Sequence, residues 1–360
     1  MCLDFSSGFC YFSDMRLSIL LLLSAIPCFS QTQYPQDYFR SPMDIPIHPS
    51  GTFGELRTNH FHAGLDFRTQ QKTGLPVYAA AAGYVSRIKV SSYGYGTALY
   101  IDHPNGYTTL YGHLLKYAPK IEEYVRSRQY EKQSFEIEIF PKPGELPVTK
   151  GELVALSGNS GGSGGPHLHF EYRDTKTEMI INPLLFGLNK KMKDTKAPTV
   201  YGLMVYPLAD DAVVNESKQP MLLSVKQQPD GTYLADKVYA RGKIGFAVNA
   251  TDKSTGSFGN NGIYKVQTYF NGTPYYGYEF NTFAFDESRY VNYFIDYPRY
   301  YSTGQRFQKL FMRNPYPLSL LKGQGDGIFY VVKDTVKNFR IEVADFHGNK
   351  SIINGTIEYS

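Results

Sequence analysis

SGNSGGSGGPHLHF, residues 157–170, is the stretch on which the reading of this chain turns. Up to Gly165 it is glycine, serine and one asparagine, a composition that makes loops and packs no core. Its end changes character. Over His167–Tyr172 polar and apolar residues alternate, the period of a strand laid against a core on one face. That strand points His167, His169 and Glu171 one way and Leu168, Phe170 and Tyr172 the other. Two chemistries compete here. Ser160 is placed as a nucleophile on a tight loop would be, and His167 and His169 are placed as metal ligands on a strand would be.

Outward from this strand the first half of the chain reads as β. Val77–Val90 is apolar with a break at Gly83, and Leu153–Leu156 is a short strand after the turn Lys150-Gly151-Glu152. Thr97–His103 and Tyr107–His113 flank Pro104-Asn105-Gly106, and Asn-Gly between two such runs signals a hairpin. In its second arm Tyr107, Thr109, Tyr111 and His113 are expected to share a face. Lys120–Val148 reads as an insertion, with a charged helix over Ile121–Gln133 and a strand over Ser134–Phe140. It is either a flap beside the site or a surface excursion without a role. Polar NKKMKDTKAP (189–198) marks a boundary. Beyond it, Thr199–Tyr206, Lys243–Ala250, Ile263–Phe270 and Phe339–Ala344 are strand-like, and Asn271-Gly272 is a second hairpin turn. Short strands with such turns predict a β-sandwich.

The composition agrees. The 360 residues are 42% hydrophobic and 19% charged, enough for two or three packed domains. The 15% aromatic content, with 31 Tyr and no Trp, favours strands. Arg16 before the apolar run Leu17–Leu23, then Cys28-Phe29-Ser30, predicts a leader cleaved near Ser30/Gln31, or an anchor left in place. The run is short for a membrane span, and no later stretch is long and apolar enough for one. All three cysteines (Cys2, Cys10, Cys28) fall in or before this leader, so any metal ligands downstream must be His, Asp or Glu. Arg16, Asp4 and Asp14 lie there too. Without them the 37 basic and 33 acidic residues become 36 and 31, a net charge of +5. That is mildly basic, without the basic stripe of a nucleic-acid binder.

Seven of the eight histidines lie between residues 48 and 169. His62-Ala63-Gly64-Leu65-Asp66 sets a His and an Asp four apart around a glycine, able to converge on one ion. With His169 they make three N/O ligands, the number a catalytic zinc takes while leaving a fourth place for water. His113 and His167 are then available to move protons or bind an oxyanion. His48, His60, His103 and His347 read as satisfied core or surface residues. Ser160 sits in a context near the Gly-Asp-Ser-Gly-Gly of trypsin-like proteases. That chemistry needs its His and Asp upstream around two barrels and leaves both histidine motifs unexplained. The loop also lacks the Gly-Lys-Ser/Thr ending of a phosphate loop.

HFHAGLDF (60–67), LYGHL (110–114) and GPHLHFE (165–171), in this order, closely resemble the lysostaphin/LytM-type zinc endopeptidases that cut peptidoglycan cross-bridges. The resemblance spans roughly Gly51 to Gly187. It implies a compact antiparallel β-sheet with a groove, one zinc ion on His62, Asp66 and His169, and catalytic roles for His113 and His167. The expected chain is mainly β: signal peptide 1–30, lead-in 31–50, peptidase domain 51–190, linker 191–198 and an immunoglobulin-like β-sandwich 199–360. The expected function is that of an exported metalloendopeptidase acting on peptidoglycan in the periplasm, the cell envelope or the medium. The alternative is a catalytically silent cell-wall binding or regulatory protein on the same fold. Nucleic acid is not an expected partner. Residues 199–360 offer no ligand cluster in sequence, so a chain ending near Lys196 is expected to keep some chemistry on a small soluble peptide, even if it binds sacculi poorly.

Overall fold

Alternating strands joined by Asn-Gly turns organise both halves of the chain. The computed structural model describes residues 1, 34–255, 259–313, 318–323, 325–334 and 336–360. The expected leader, with its cysteines and cleavage point, lies outside the described residues.

The first sheet is built from β1 (Pro49–Gly51), β2 (Leu65–Arg68), β3 (Gly83–Val90), β4 (Ala98–Asp102), β5 (Tyr107–Gly112), β6 (Ile137–Ile139) and β7 (His167–Asp174). Its order is β1-β2-β7-β5-β4-β3-β6, with antiparallel neighbours throughout. β4 and β5 form the expected hairpin, with Leu99 opposite Tyr111 and Gly106 at φ 83°. β7 has the expected phase: Leu168, Phe170 and Tyr172 are fully buried in one cluster. Phe170 meets Tyr111 at 5.3 Å between ring centroids, and Tyr172 stacks on Phe186 at 4.0 Å. Each ring removed from water in this way contributes roughly 1.5–3 kcal/mol. The lead-in adds Phe39, Met43 and Ile47 to the same cluster, Phe39 lying 4.8 Å from Tyr172. It therefore packs on the face opposite the histidines.

The insertion forms α1 (Pro119–Lys132) and β6. Proline begins α1, Gln133 ends it in the left-handed region at φ 48°, and Ile121 and Val125 are its buried residues. β6 pairs with β3, at the sheet edge remote from β7. With β5, β4 and β3 between them, β6 stands roughly 19 Å from β7 at normal strand spacing. The insertion extends an edge.

The second half is a β-sandwich. β8 (Thr199–Pro207) pairs with β9 (Val238–Thr251); β10 (Lys265–Phe270), β11 (Thr273–Glu279), β12 (Val336–Ala344) and β13 (Lys350–Tyr359) form the other layer. β9 belongs to both. Its residues Val238–Ala240 run parallel to β13, and its residues from Ile244 onward pair with β8. Between these stretches Gly242, at φ 74°, supplies a backbone conformation costly for other residues. The layers meet at Phe246 and Phe339, 4.6 Å apart. Asn271 (φ 44°) and Gly272 (φ 84°) make the β10–β11 turn, both in the positive-φ region that a type I′ hairpin requires.

Tyr34–Ser360 forms one compact unit. The sandwich core takes in Phe53, Leu56, Phe61, Ala63 and Ile180 from the first half. Phe53 lies 4.8 Å from Phe283, and Phe61 lies 5.8 Å from Phe294. Thr282–Phe283 also pairs with Ile180–Ile181. No helix among the described residues is long and apolar enough to cross a membrane.

Candidate metal centre

His62 lies in the turn that enters β2, Asp66 within β2, and His169 directly opposite Asp66 on β7. All three are buried, at 7%, 6% and 4% exposure. Gly64 permits this turn: a Cβ there would stand 2.4 Å from the Phe170 carbonyl and 2.9 Å from the His169 ring. On the other side of β7, Gly112 is opposite His169.

The ligand atoms form a tight triangle. His62 Nε2 is 3.0 Å from Asp66 Oδ1 and 3.1 Å from His169 Nδ1, and His169 Nδ1 is 2.8 Å from Asp66 Oδ1. Outer partners fix which atoms these are. His62 Nδ1 donates to the Thr52 carbonyl at 2.8 Å, which leaves Nε2 with its lone pair. His169 Nε2 faces Glu171 Oε1 at 2.8 Å, which leaves Nδ1 with its own. Two imidazole lone pairs and a carboxylate oxygen thus point at one another. Three acceptors so placed require a cation or a proton between them. Three corners of a tetrahedron with bonds of about 2.0–2.1 Å need edges of about 3.3 Å, close to those seen. His62, Asp66 and His169 can hold a metal ion.

The electrostatics match this reading. Burial works against the Asp66 carboxylate, yet His62 and His169 hold it well below the usual range. Burial likewise opposes charge on His169, but hydrogen bonds to Asp66 and Glu171 push it up to about 9. A metal entering there displaces a proton. Behind His169 lies a buried chain of charge. Glu171, at 0% exposure, accepts from Tyr95 Oη on Oε1 and from Arg173 Nε at 2.8 Å on Oε2. Arg173, 4% exposed, lies over the rings of Phe285 and Tyr100.

His113 departs from the strand pattern. Alternation from Tyr111 would send it into the core. Instead β5 ends at Gly112 and His113 adopts φ 59°, a left-handed conformation that turns its ring to the other face. It lies 4.8 Å from the His167 ring and 5.8 Å from the His169 ring. Burial first, then His169 and His167, push His113 down to about 4. Its Nδ1 donates to the Ser160 carbonyl at 2.8 Å, leaving Nε2 free to accept. His167 Nδ1 donates to the Gly165 carbonyl at 2.8 Å, and its Nε2 lies 3.6 Å from Asp66 Oδ1. All five residues singled out in the sequence are therefore together.

Ser160 serves the main chain. Its Oγ donates to the Leu114 carbonyl and accepts from Thr97 N–H, both at 2.9 Å. His103 is satisfied by the Ala82 carbonyl and Thr109, His48 and His60 are exposed, and His347 lies at the junction of the two halves. The sequence reading assigned no role to Thr52, Tyr95, Glu171 or Arg173. Glu171 and Arg173 continue the alternation of His169 and were discoverable from it. Thr52 acts through its carbonyl, which any residue carries.

Residues 60–130 match the profile of Peptidase family M23. The DD-carboxypeptidase/endopeptidase Mpg of Neisseria meningitidis serogroup B is 34% identical over 133 residues, 37% of this chain and 24% of that protein. The peptidoglycan DD-endopeptidase ShyB of Vibrio cholerae is 36% identical over 110 residues, 31% of this chain and 20% of that protein. This chain thus spans a quarter or less of the length of these relatives. A solved catalytic domain of the prophage-encoded M23 protein EnpA from Enterococcus faecalis is 27% identical, with a TM-score of 0.29, covering 43% of this chain and 98% of that one. His62, Asp66 and His113 lie inside the segment of this chain that matches peptidase family M23.

Proposed function

We propose that this protein is an exported zinc-dependent endopeptidase that hydrolyses peptide bonds in peptidoglycan stem peptides or cross-links. The observation that carries this is the set of three lone-pair atoms on His62, Asp66 and His169, all within 3.1 Å, with both imidazole N–H groups held outward. An open zinc site takes such a set. In this reading 51–190 is the peptidase domain and 199–360 a sandwich that supports it. Export to the envelope rests on the leader expected over 1–30 and on the peptidoglycan named for the Vibrio cholerae relative.

A zinc ion held there supplies Lewis acidity and a bound water of usable nucleophilicity at neutral pH. His113 is neutral at that pH, with Nε2 ready to accept the water's proton. His167, held by Gly165 through Nδ1–H, presents Nε2 beside Asp66; when that nitrogen also carries a proton, it can donate to charge developing on the attacked carbonyl oxygen. Either histidine can pass a proton to the leaving amine.

The test is metal analysis of the purified protein with incubation on purified sacculi, followed by mass spectrometry of the released fragments. One zinc per chain and new amino and carboxyl ends within the peptide moiety are expected. A zinc-loaded protein that leaves sacculi intact refutes the peptidase reading and favours a silent wall-binding role.

A further inference from the structure

Where the two halves join, three distant segments bring acids together. Asp194 lies in the stretch before β8, Asp252 follows β9, and Asp345 and His347 lie in the turn between β12 and β13. Asp194, Asp345 and His347 each place one ligand atom within 4.8 Å of the other two. Asp252 lines the same cavity, of about 30 Å³, enough for an ion with a water. Asp252 is 5% exposed, and its Oδ1 has no hydrogen-bond partner among the described residues. Neighbouring Asn261, 2% exposed and paired with Asp252 through both main chains, also has an unpartnered Oδ1.

The other contacts hold these groups in place without neutralising them. Asp194 Oδ1 accepts from the Lys196 and Thr255 main chains and from the Thr255 hydroxyl, each at 3.1 Å. Asp345 accepts from Asn349 N–H at 2.8 Å and from its Nδ2 at 2.7 Å. His347 Nε2 lies 3.4 Å from the Asn189 carbonyl, which leaves Nδ1 for a ligand. Burying carboxylates together without a counter-charge is costly. We propose that this junction is a second, divalent-cation site, in which Asp194, Asp345 and His347 hold one ion and Asp252, in the same cavity, adds an uncompensated carboxylate, so that the ion clasps the inter-half stretch and the β12–β13 turn to the end of β9. Carboxylates dominate the donor set, so Ca²⁺ or Mn²⁺ suits it better than Zn²⁺. Its donors are distinct from those of the His62 centre.

The experiment uses the full chain after chelation. Ca²⁺, Mn²⁺ and Zn²⁺ are titrated separately by calorimetry, with melting followed in parallel, into the parent protein and into His169→Ala, Asp345→Asn and Asp252→Asn. His169→Ala is expected to keep one equivalent of Ca²⁺ or Mn²⁺ and to melt several degrees higher with it. Asp345→Asn and Asp252→Asn are expected to bind that ion at least about tenfold more weakly while keeping the zinc equivalent. Asparagine preserves shape and relieves repulsion, so both variants should fold. The proposal is overturned if His169→Ala binds neither Ca²⁺ nor Mn²⁺, if the junction prefers Zn²⁺, or if Asp345→Asn binds as tightly as the parent.

Discussion

Replacing Glu171 by glutamine changes one atom and should damage two properties separately. Both Glu171 oxygens are acceptors: Oε1 serves His169 Nε2 and Tyr95 Oη, and Oε2 serves Arg173 Nε and Nη2. Glutamine must turn an NH₂ toward one of these groups. Whichever way the amide faces, the Arg173 guanidinium, 4% exposed, loses its close counter-ion and keeps only the exposed Glu178 at 3.7 Å; if the NH₂ faces Arg173, donors also oppose one another. Breaking such a pair costs about 3–5 kcal/mol, a large share of the roughly 5–15 kcal/mol that holds a protein folded. If it faces His169, the ring is driven to the other tautomer and its Nδ1 becomes an N–H aimed at the metal position. Losing the group that orients a ligand histidine typically lowers metal affinity about 10–100-fold. The assays are zinc competition against a chromogenic chelator and urea unfolding of the metal-free protein. Adding Arg173→Met should restore part of the stability, because it removes the stranded charge, and should leave zinc binding weak. Parent-like zinc affinity together with a parent-like urea midpoint in Glu171→Gln would refute the claim that this carboxylate orients His169.

His113→Ala and His167→Ala should keep zinc and fold while turnover on a soluble peptide falls about 10²–10⁴-fold; metal loss in His113→Ala would make it a ligand. A chain ending at residue 196, expected from sequence to keep some chemistry, should instead fold poorly. It uncovers Phe53 and Phe61 and loses Gly262, whose N–H donates to the hydroxyl of Thr52, the residue whose carbonyl holds His62. Circular dichroism and zinc content of that chain decide it, and a folded, zinc-loaded product would contradict the shared core. Burial first, then Asp345 and Asp194, push Asp252 up to about 7 from its ordinary 3.8. Its folded value lies above its unfolded one, so chelated protein should lose stability as pH rises from about 4 through about 7. The loss is on the order of a few kcal/mol at about 1.4 per unit. Melting curves across that range should flatten in Asp252→Asn, and an equally steep fall there would point to another group.

The sequence by itself determined what repeats locally. Alternation along His167–Tyr172 assigned each side chain its face, because a strand's period of two is a property of the backbone. The Asn-Gly pairs located both hairpin turns, because only certain residues accept positive φ there cheaply. Residue chemistry and spacing brought out His62, Asp66 and His169, and in a chain whose cysteines all precede residue 29 few other ligand sets were open. The tertiary structure decided the rest. His113 faces the histidines because one left-handed residue breaks the strand's phase, which alternation does not encode. Thr52 orients His62 through a carbonyl, and a main-chain group carries no residue identity. Phe53 and Phe61 belong to the sandwich core, and Asp194, Asp252 and Asp345 meet across 151 positions, through long-range packing that no local pattern records.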